Sequence, residues 1–441
     1  MRRSRWVTLA ALGLLHVLNA SAEEAPDYAS ETLSGSWGGL REEAYRRGIT
    51  LEAVLKLDWL RTGGGVQAGQ DTASNLDLKL MADLDALYGW GGATAYLHVL
   101  DNRGGKPNAR LAGSLMGLSN IETTDATAKI FQAWLQTNYF DDRLSVLVGL
   151  YPIDSEFSVL DSAGLFLHPS FGASADLALT RGPSIFNTSA FGTRLKWLSA
   201  DRALYAQGAW LDGIPGDPAN PYGTHIRFDK GDGSFWIAEF GYTPEEVDHV
   251  SAPVSPQNGG PQEPAAVADE KYETFAKYAL GFWRYTSKVD DLVNVDAVGN
   301  PLQRRSLGWY ALAEKTVYRS SANPAANLSL FARYSATDGD STEIRSALNL
   351  GARFRGLIAG RDDDIAGLGY TRAYLGNKYR QTQQLAGIDT RPAEEAIELT
   401  YRLQWSKWLA LQPLWQRVRC PGGDASQPDV SFIGMRLEIT L

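Results

Sequence analysis

The chain has almost no cysteine: Cys420 stands alone among 441 residues. No disulfide can therefore form within it, and stability outside the cytoplasm has to come from a large sheet or core. Methionine is also scarce, at 4. Beyond the first two dozen residues no stretch approaches 18 consecutive apolar side chains, so no transmembrane helix is available there. The 5 histidines include His16 in the leader, and His98, His168, His225 and His249 show no metal-ligating spacing. No nucleophile elbow or Gly-rich phosphate loop is found, so nothing calls for a cofactor or an enzyme assignment. A basic patch is missing too. With 42 Lys+Arg against 51 Asp+Glu the net charge is -9, which argues against nucleic acid as a partner.

The first residues carry an address. Arg2, Arg3 and Arg5 precede an apolar run from Trp6 to Leu18, and Ala20-Ser21-Ala22 is a small-residue cleavage site. This three-part pattern predicts a secretory signal peptide over 1–22, too short in its apolar core to anchor as a spanning helix. Residues 23–34 are polar and read as poorly ordered. Residues 39–47 read as a short helix closed by Gly48, with Arg46 and Arg47 in its last turn.

From Ile49 onward the pattern has period two. Ile433, Met435, Leu437, Ile439 and Leu441 alternate with Gly434, Arg436, Glu438 and Thr440. Ile397, Leu399, Tyr401, Leu403 and Trp405 alternate with Glu398, Thr400, Arg402, Gln404 and Ser406. Leu76, Leu78 and Leu80 oppose Asp77, Lys79 and Met81; Phe131, Ala133 and Leu135 oppose Gln132, Trp134 and Gln136. Leu307, Trp309 and Ala311 oppose Gly308, Tyr310 and Leu312, and Ile344, Leu348 and Leu350 oppose Arg345, Asn349 and Gly351. A soluble β-sandwich alternates in the same way. Here the polar faces carry several charges per strand, as a wet lumen permits, and the last strand ends the chain. The favoured reading is an all-β, transmembrane antiparallel barrel over 49–441, because in lipid only helices or closed barrels satisfy every backbone amide. The 13 Trp and 19 Tyr suit the two water–lipid boundaries of such a barrel, and equally suit sugar binding.

Turn chemistry lies at 63–65, 102–105, 141–143, 212–218, 338–340 and 421–424. The longest interruption, 243–273, holds five prolines and reads as an exposed loop or a plug folded into the pore. The acids Asp362, Asp363 and Asp364 would suit a glycosidase or Ca²⁺, but three adjacent acids in a Gly-flanked loop are more often solvated. The lumen candidates are Asp77, Lys79, Gln132, Gln136, Arg194, Lys196, Glu239, Glu314, Arg333, Arg345, Arg353, Glu398, Arg402 and Arg436. Arg and Lys donate to sugar hydroxyl oxygens and carboxylates accept from hydroxyls, which is how a pore selects without trapping its solute. The plainer alternative for each is a solvated wall charge balanced across the lumen.

Ser34-Gly35-Ser36-Trp37-Gly38-Gly39-Leu40-Arg41, Trp134-Leu135-Gln136, Asp154-Ser155-Glu156-Phe157 and Leu165-Phe166-Leu167 occur in order along the chain. So do Phe191-Gly192-Thr193-Arg194-Leu195, Asp212-Gly213-Ile214-Pro215, Glu314-Lys315-Thr316-Val317-Tyr318-Arg319 and 356–364. Together they resemble the carbohydrate-selective porin family (the OprB type). The resemblance implies about sixteen strands in a Gram-negative outer membrane, with glucose-like sugars as solutes, and leaves a homo-oligomer open. The strand Ile433 to Leu441 is then the expected signal to the barrel-assembly machinery, although it ends in Leu where such barrels usually end in Phe. Segment 414–420 is more basic than is usual for the family. Two other readings are a pore for anionic solutes, suggested by the arginines, and a soluble periplasmic protein that binds or hydrolyses glycans.

Overall fold

The computed structural model describes residues 25–244, 276–323 and 325–441. The expected leader at 1–22 lies outside the described residues, as does all of the proline-rich stretch except Thr243 and Pro244.

Sixteen antiparallel strands close into one barrel. Neighbours in the chain pair with each other, and the first strand, Ile49–Gly63, meets the last, Val430–Thr440, to close the ring. Closure leaves no free strand edge, so the backbone needs no partner from lipid. A separate two-stranded hairpin, Val289–Val295 with Pro301–Arg304, sits in one of the connections. No described helix is long and apolar enough to cross a membrane.

The two faces of the wall differ as the alternation requires. Leu78, Leu195, Leu368, Leu399 and Ile433 are exposed on the outside. Asp77, Lys79, Glu239, Glu314, Arg333 and Glu398 are covered on the inside. A sandwich would bury the apolar set and expose the charges, so the soluble reading fails. Outward aromatics mark both rims: Trp197, Tyr242, Tyr278 and Trp405 at the end holding the termini, and Trp236 and Trp309 at the other.

Connections at the terminal end include the short turns 140–143, 199–203 and 407–408, and the strands flanking the proline-rich stretch also end there. The opposite end carries the long connections 105–126, 152–189, 213–233, 286–306 and 376–392.

Several expectations change. Segment 23–34 is not loose where it is described: Tyr28–Glu31 forms a helical turn capped by the Asp27 side chain, and Tyr28 is buried. The seven-residue helix Leu40–Arg46 follows, and Gly48 beyond it takes φ 86°. Arg41 explains the preceding motif: its guanidinium lies 4.3 Å from the Tyr28 ring centre and 4.9 Å from that of Trp37. It also donates to the carbonyl oxygens of Leu51 at 2.9 Å and Leu441 at 3.1 Å. One side chain thus ties the amino-terminal segment to both strands of the closing seam. Residues 102–104 finish a strand, and the turn begins only at Gly105.

Two bulges overturn the face assignments around them, because one extra residue reverses the alternation beyond it. The pairing shifts between His98 and Val99 against Gln132 and Ile130. Phe131 therefore joins Gln132 on the inside, 5.4 Å from the His98 ring. A second shift, between Ile344 and Ser346, turns Ile344 inward and leaves Arg345 exposed on the outside. Arg345 is not a lumen residue.

Candidate functional site

The lumen is crossed by the connection 152–189, and the wall holds it there. Glu314 accepts the backbone N–H groups of Asp161 at 3.0 Å and Ser162 at 2.8 Å. Glu398 does the same for Leu167 at 2.9 Å and His168 at 2.8 Å. Glu239 accepts from Ser158 N–H at 2.8 Å and from the hydroxyls of Tyr205 at 2.8 Å and Tyr310 at 2.6 Å. Arg333 donates to the carbonyl oxygens of Ser158, Gly172 and Ser170 at 2.8, 2.7 and 2.6 Å. Lys277 donates to Val159 O at 2.8 Å, and Gln412 to Leu165 O at 2.7 Å. Hydrogen bonds to charged groups are worth about 1.5–3 kcal/mol each, and they leave few orphaned amides on an irregular chain inside the barrel.

Shape completes the seat. A Cβ at Gly367 would come within 2.5 Å of Leu165, and one at Gly369 within 2.5 Å of Phe171. These two wall positions lack side chains where the inner segment presses closest. Phe166, Phe171 and Phe331 pack there with ring centres 4.6–6.0 Å apart.

Several candidates thus act as anchors of the inner segment. Arg194 belongs with them: it forks onto Glu156 at 2.6 and 2.7 Å and donates to Gln136 at 2.7 Å. A second inward connection, 105–126, is held by Glu394, which accepts from Leu115 N–H at 2.9 Å and Met116 N–H at 3.0 Å. Arg436 forks onto Asp58 at 2.7 and 2.8 Å and reaches Asn120 at 2.7 Å.

Of the remaining candidates, Asp77, Lys79 and Arg402 lie on another arc, formed by the first two strands, the last strand and Ala393–Ser406. Lys79 lies 3.7 Å from Glu52, Lys56 3.6 Å from Asp77, and Arg402 2.8 Å from Glu438. Lys56 and Glu438 face each other across the seam. Cations and acids therefore alternate along the wall, and Glu52, Lys56, Arg402 and Glu438 remain partly exposed. Arg353 is partly exposed on the inside, Lys196 lies 5.7 Å from the Tyr205 ring, and Gln132 accepts from Trp134 Nε1–H at 3.2 Å. Glu52, Lys56, Asp58 and Glu438 were not among the sequence candidates, although each occupies a polar phase of the alternation.

The acids at 362–364 brace a turn. Asp364 accepts from Arg361, from the Tyr401 hydroxyl at 2.6 Å and from Gln404 N–H at 2.9 Å, while Asp363 pairs with Arg355 at 2.8 Å. No group of three or more metal-binding side chains occurs among the described residues.

A barrel greasy outside, charged within and narrowed by an inward-folded connection is an outer-membrane porin, a channel. Residues 67–441 match the family described as "Carbohydrate-selective porin, OprB family", and the chain belongs to it. It is 25% identical to Porin B of Pseudomonas aeruginosa, over 98% of this chain and 95% of that one. It is 22% identical to the putative porin QuiX of Acinetobacter baylyi, over 97% and 98%. The high-pH structure of Pseudomonas putida OprB superposes with a TM-score of 0.78 at 19% identity, covering 94% of this chain and 99% of that one. That structure supports the fold.

Proposed function

We propose that the channel conducts neutral monosaccharides such as glucose passively into the periplasm. The observation that carries this reading is the arc of matched charges, Lys79–Glu52, Lys56–Asp77 and Arg402–Glu438, in which Glu52, Lys56, Arg402 and Glu438 stay partly exposed while Asp77 and Lys79 are covered. The partly exposed members, Lys56 and Arg402 as donors and Glu52 and Glu438 as acceptors, suit hydroxyl groups, yet the arc has little net charge with which to attract an ion. A solute rich in hydroxyls finds partners at every step, and none is strong enough to hold it. The anionic-solute reading needs uncommitted inward cations. Arg194, Arg402 and Arg436 each pair with an acid, and Arg333 spends its donors on Asn349 and the backbone of the inner segment, which leaves Arg353, partly exposed on the inside, as the arginine candidate such a solute would use.

The test is a planar bilayer carrying the purified protein, with glucose added. Concentration-dependent current block is expected, weakened by Arg402→Gln and Glu438→Gln together, with monosaccharide uptake into liposomes above that of empty ones. A strong anion preference in reversal potential without sugar block would replace this reading. Export by the leader and delivery through the final strand to the assembly machinery form part of the same proposal.

A further inference from the structure

Four of the outward-facing arginines lie close together on one sector of the wall. Arg345, Arg372, Arg417 and Arg419 project outward from strands Ile344–Arg355, Ile365–Leu375 and Leu409–Arg419, near the rim that carries the long connections. The intervening strand, Ala393–Ser406, contributes Glu395.

The register groups them on adjacent outward rows. Arg372, Glu395 and Arg419 form a row across three strands, and Arg417 lies in the row beneath, opposite Ile397. The next outward row down is Leu368, Leu399, Trp415 and Ile433, all exposed and apolar, and it meets Arg61 only on the first strand. Two residues along a strand cover about 7 Å. The guanidinium groups therefore stand just above the greasy belt, where acyl chains give way to headgroups.

Acid is short at this spot. Glu395 lies 3.1 Å from both Arg372 and Arg419, and Asp429 lies 3.0 Å from Arg417. The Tyr374 ring takes Arg372 at 4.7 Å and Arg345 at 5.8 Å. Four cations thus share two carboxylates, and Arg417 and Arg419 keep half or more of their side-chain surface exposed. Farther round the ring, two to five strands from Arg345, the same rim carries Trp309, Trp236 and Trp210, with Arg284 among them. An aromatic girdle is sufficient to seat a barrel, so a sector that gathers four arginines together asks for a ligand. Guanidinium forks match phosphate oxygens in pairs.

We propose that this arc binds the phosphorylated headgroup of a glycolipid in the outer leaflet. The arginines take the phosphate, and the phenols of Tyr370 and Tyr374 beside them offer hydrogen bonds to the sugar. The proposal needs only the membrane placement of the barrel and stands apart from the choice of transported solute.

The experiment uses the full-length protein in mild detergent and native mass spectrometry. The probes are lipid A carrying its phosphates, the dephosphorylated lipid and inorganic phosphate. The wild type is expected to hold the phosphorylated lipid about tenfold or more tightly than the dephosphorylated one. The variant Arg345→Gln, Arg372→Gln, Arg417→Gln, Arg419→Gln should lose that preference, while Arg284→Gln keeps it. Equal binding of the two lipids, wild-type binding by the quadruple variant, or an equal loss in Arg284→Gln would each overturn the assignment. Capture of inorganic phosphate with no lipid retained would overturn the lipid as the source. Unchanged heat-dependent gel mobility and conductance show that the variant is folded. If it does not fold, the pairs Arg345/Arg372 and Arg417/Arg419 carry the same comparison separately.

Discussion

Arg333 donates to the carbonyl oxygen of Ser170 at 2.6 Å, from a side chain that is 1% exposed. The same guanidinium also holds Ser158 and Gly172, so one wall residue fixes both ends of a fifteen-residue stretch of the inner segment. Removing it leaves several buried acceptors short of a donor, each at a cost of about 1–3 kcal/mol. The segment, rather than the barrel, would absorb that cost. Arg333→Ala is expected to give a larger and noisier single-channel conductance with weaker glucose block, while the heat-dependent gel shift persists. Arg333→Lys should fall between, since an ammonium keeps the charge but loses the fork. Conductance indistinguishable from wild type would show that the segment does not narrow the pore.

Asp58 and Arg436 pair across the seam where the ring closes, and both are buried. Breaking a buried pair from one side is far more damaging than removing both partners. Asp58→Asn should lower stability by roughly 3–5 kcal/mol, and adding Arg436→Met should recover part of that loss. Urea titrations followed by gel mobility would report both. Additive losses would mean that the two side chains act independently.

Much of this architecture is legible in the chain. Alternation over Ile397 to Trp405 and Ile433 to Leu441 identifies which residues meet lipid, because a strand between two solvents must repeat every second residue. The bulges are not legible. The extra residue near Phe131, or between Ile344 and Ser346, has no compositional mark, and it sent Phe131 and Arg345 to the wrong faces. The inner segment was hidden for a different reason. Leu165, Phe166 and Phe171 are apolar, like any covered residue, and their partners Glu314 and Glu398 look the same in sequence whether they bind a sugar or a backbone amide. Prolines and length drew attention to 243–273, most of which lies outside the described residues, whereas among the described residues the connections 152–189 and 105–126 enter the lumen.

Leu399 lies midway along its strand and is exposed on the outside. Arginine at that depth costs roughly 2–4 kcal/mol on a lipid-facing position. Leu399→Arg should therefore reduce folding into liposomes, whereas Arg402→Ala, three residues on and facing the lumen, should fold normally and alter conductance. Similar folding yields for the two would contradict the assignment of faces.

Outside the membrane span, Asp291 joins three connections at the long-loop rim. Its carboxylate accepts from Lys378 at 2.5 Å and Arg304 at 2.9 Å, and Lys378 also reaches Asp340 at 2.6 Å. Burial by itself would raise the Asp291 pKa, but the hydrogen bonds from Lys378, from the backbone N–H groups of Asn294 and Val293, and from Arg304 outweigh it and hold the acid well below the usual range. A carboxyl depressed on folding contributes stability that is complete above its unfolded pKa of about 3.9 and disappears as pH falls through the lower folded value. The latch should therefore hold at neutral pH, begin to weaken below about pH 4, and open only in stronger acid. Hydrogen exchange across 286–306 and 376–392 should rise over that window while the barrel strands stay protected. Asn at 291 keeps an acceptor but removes the charge, so Asp291→Asn should exchange faster at pH 7 and lose the acid dependence. If the variant kept the wild-type pH profile, Asp291 would not be the group that opens the latch.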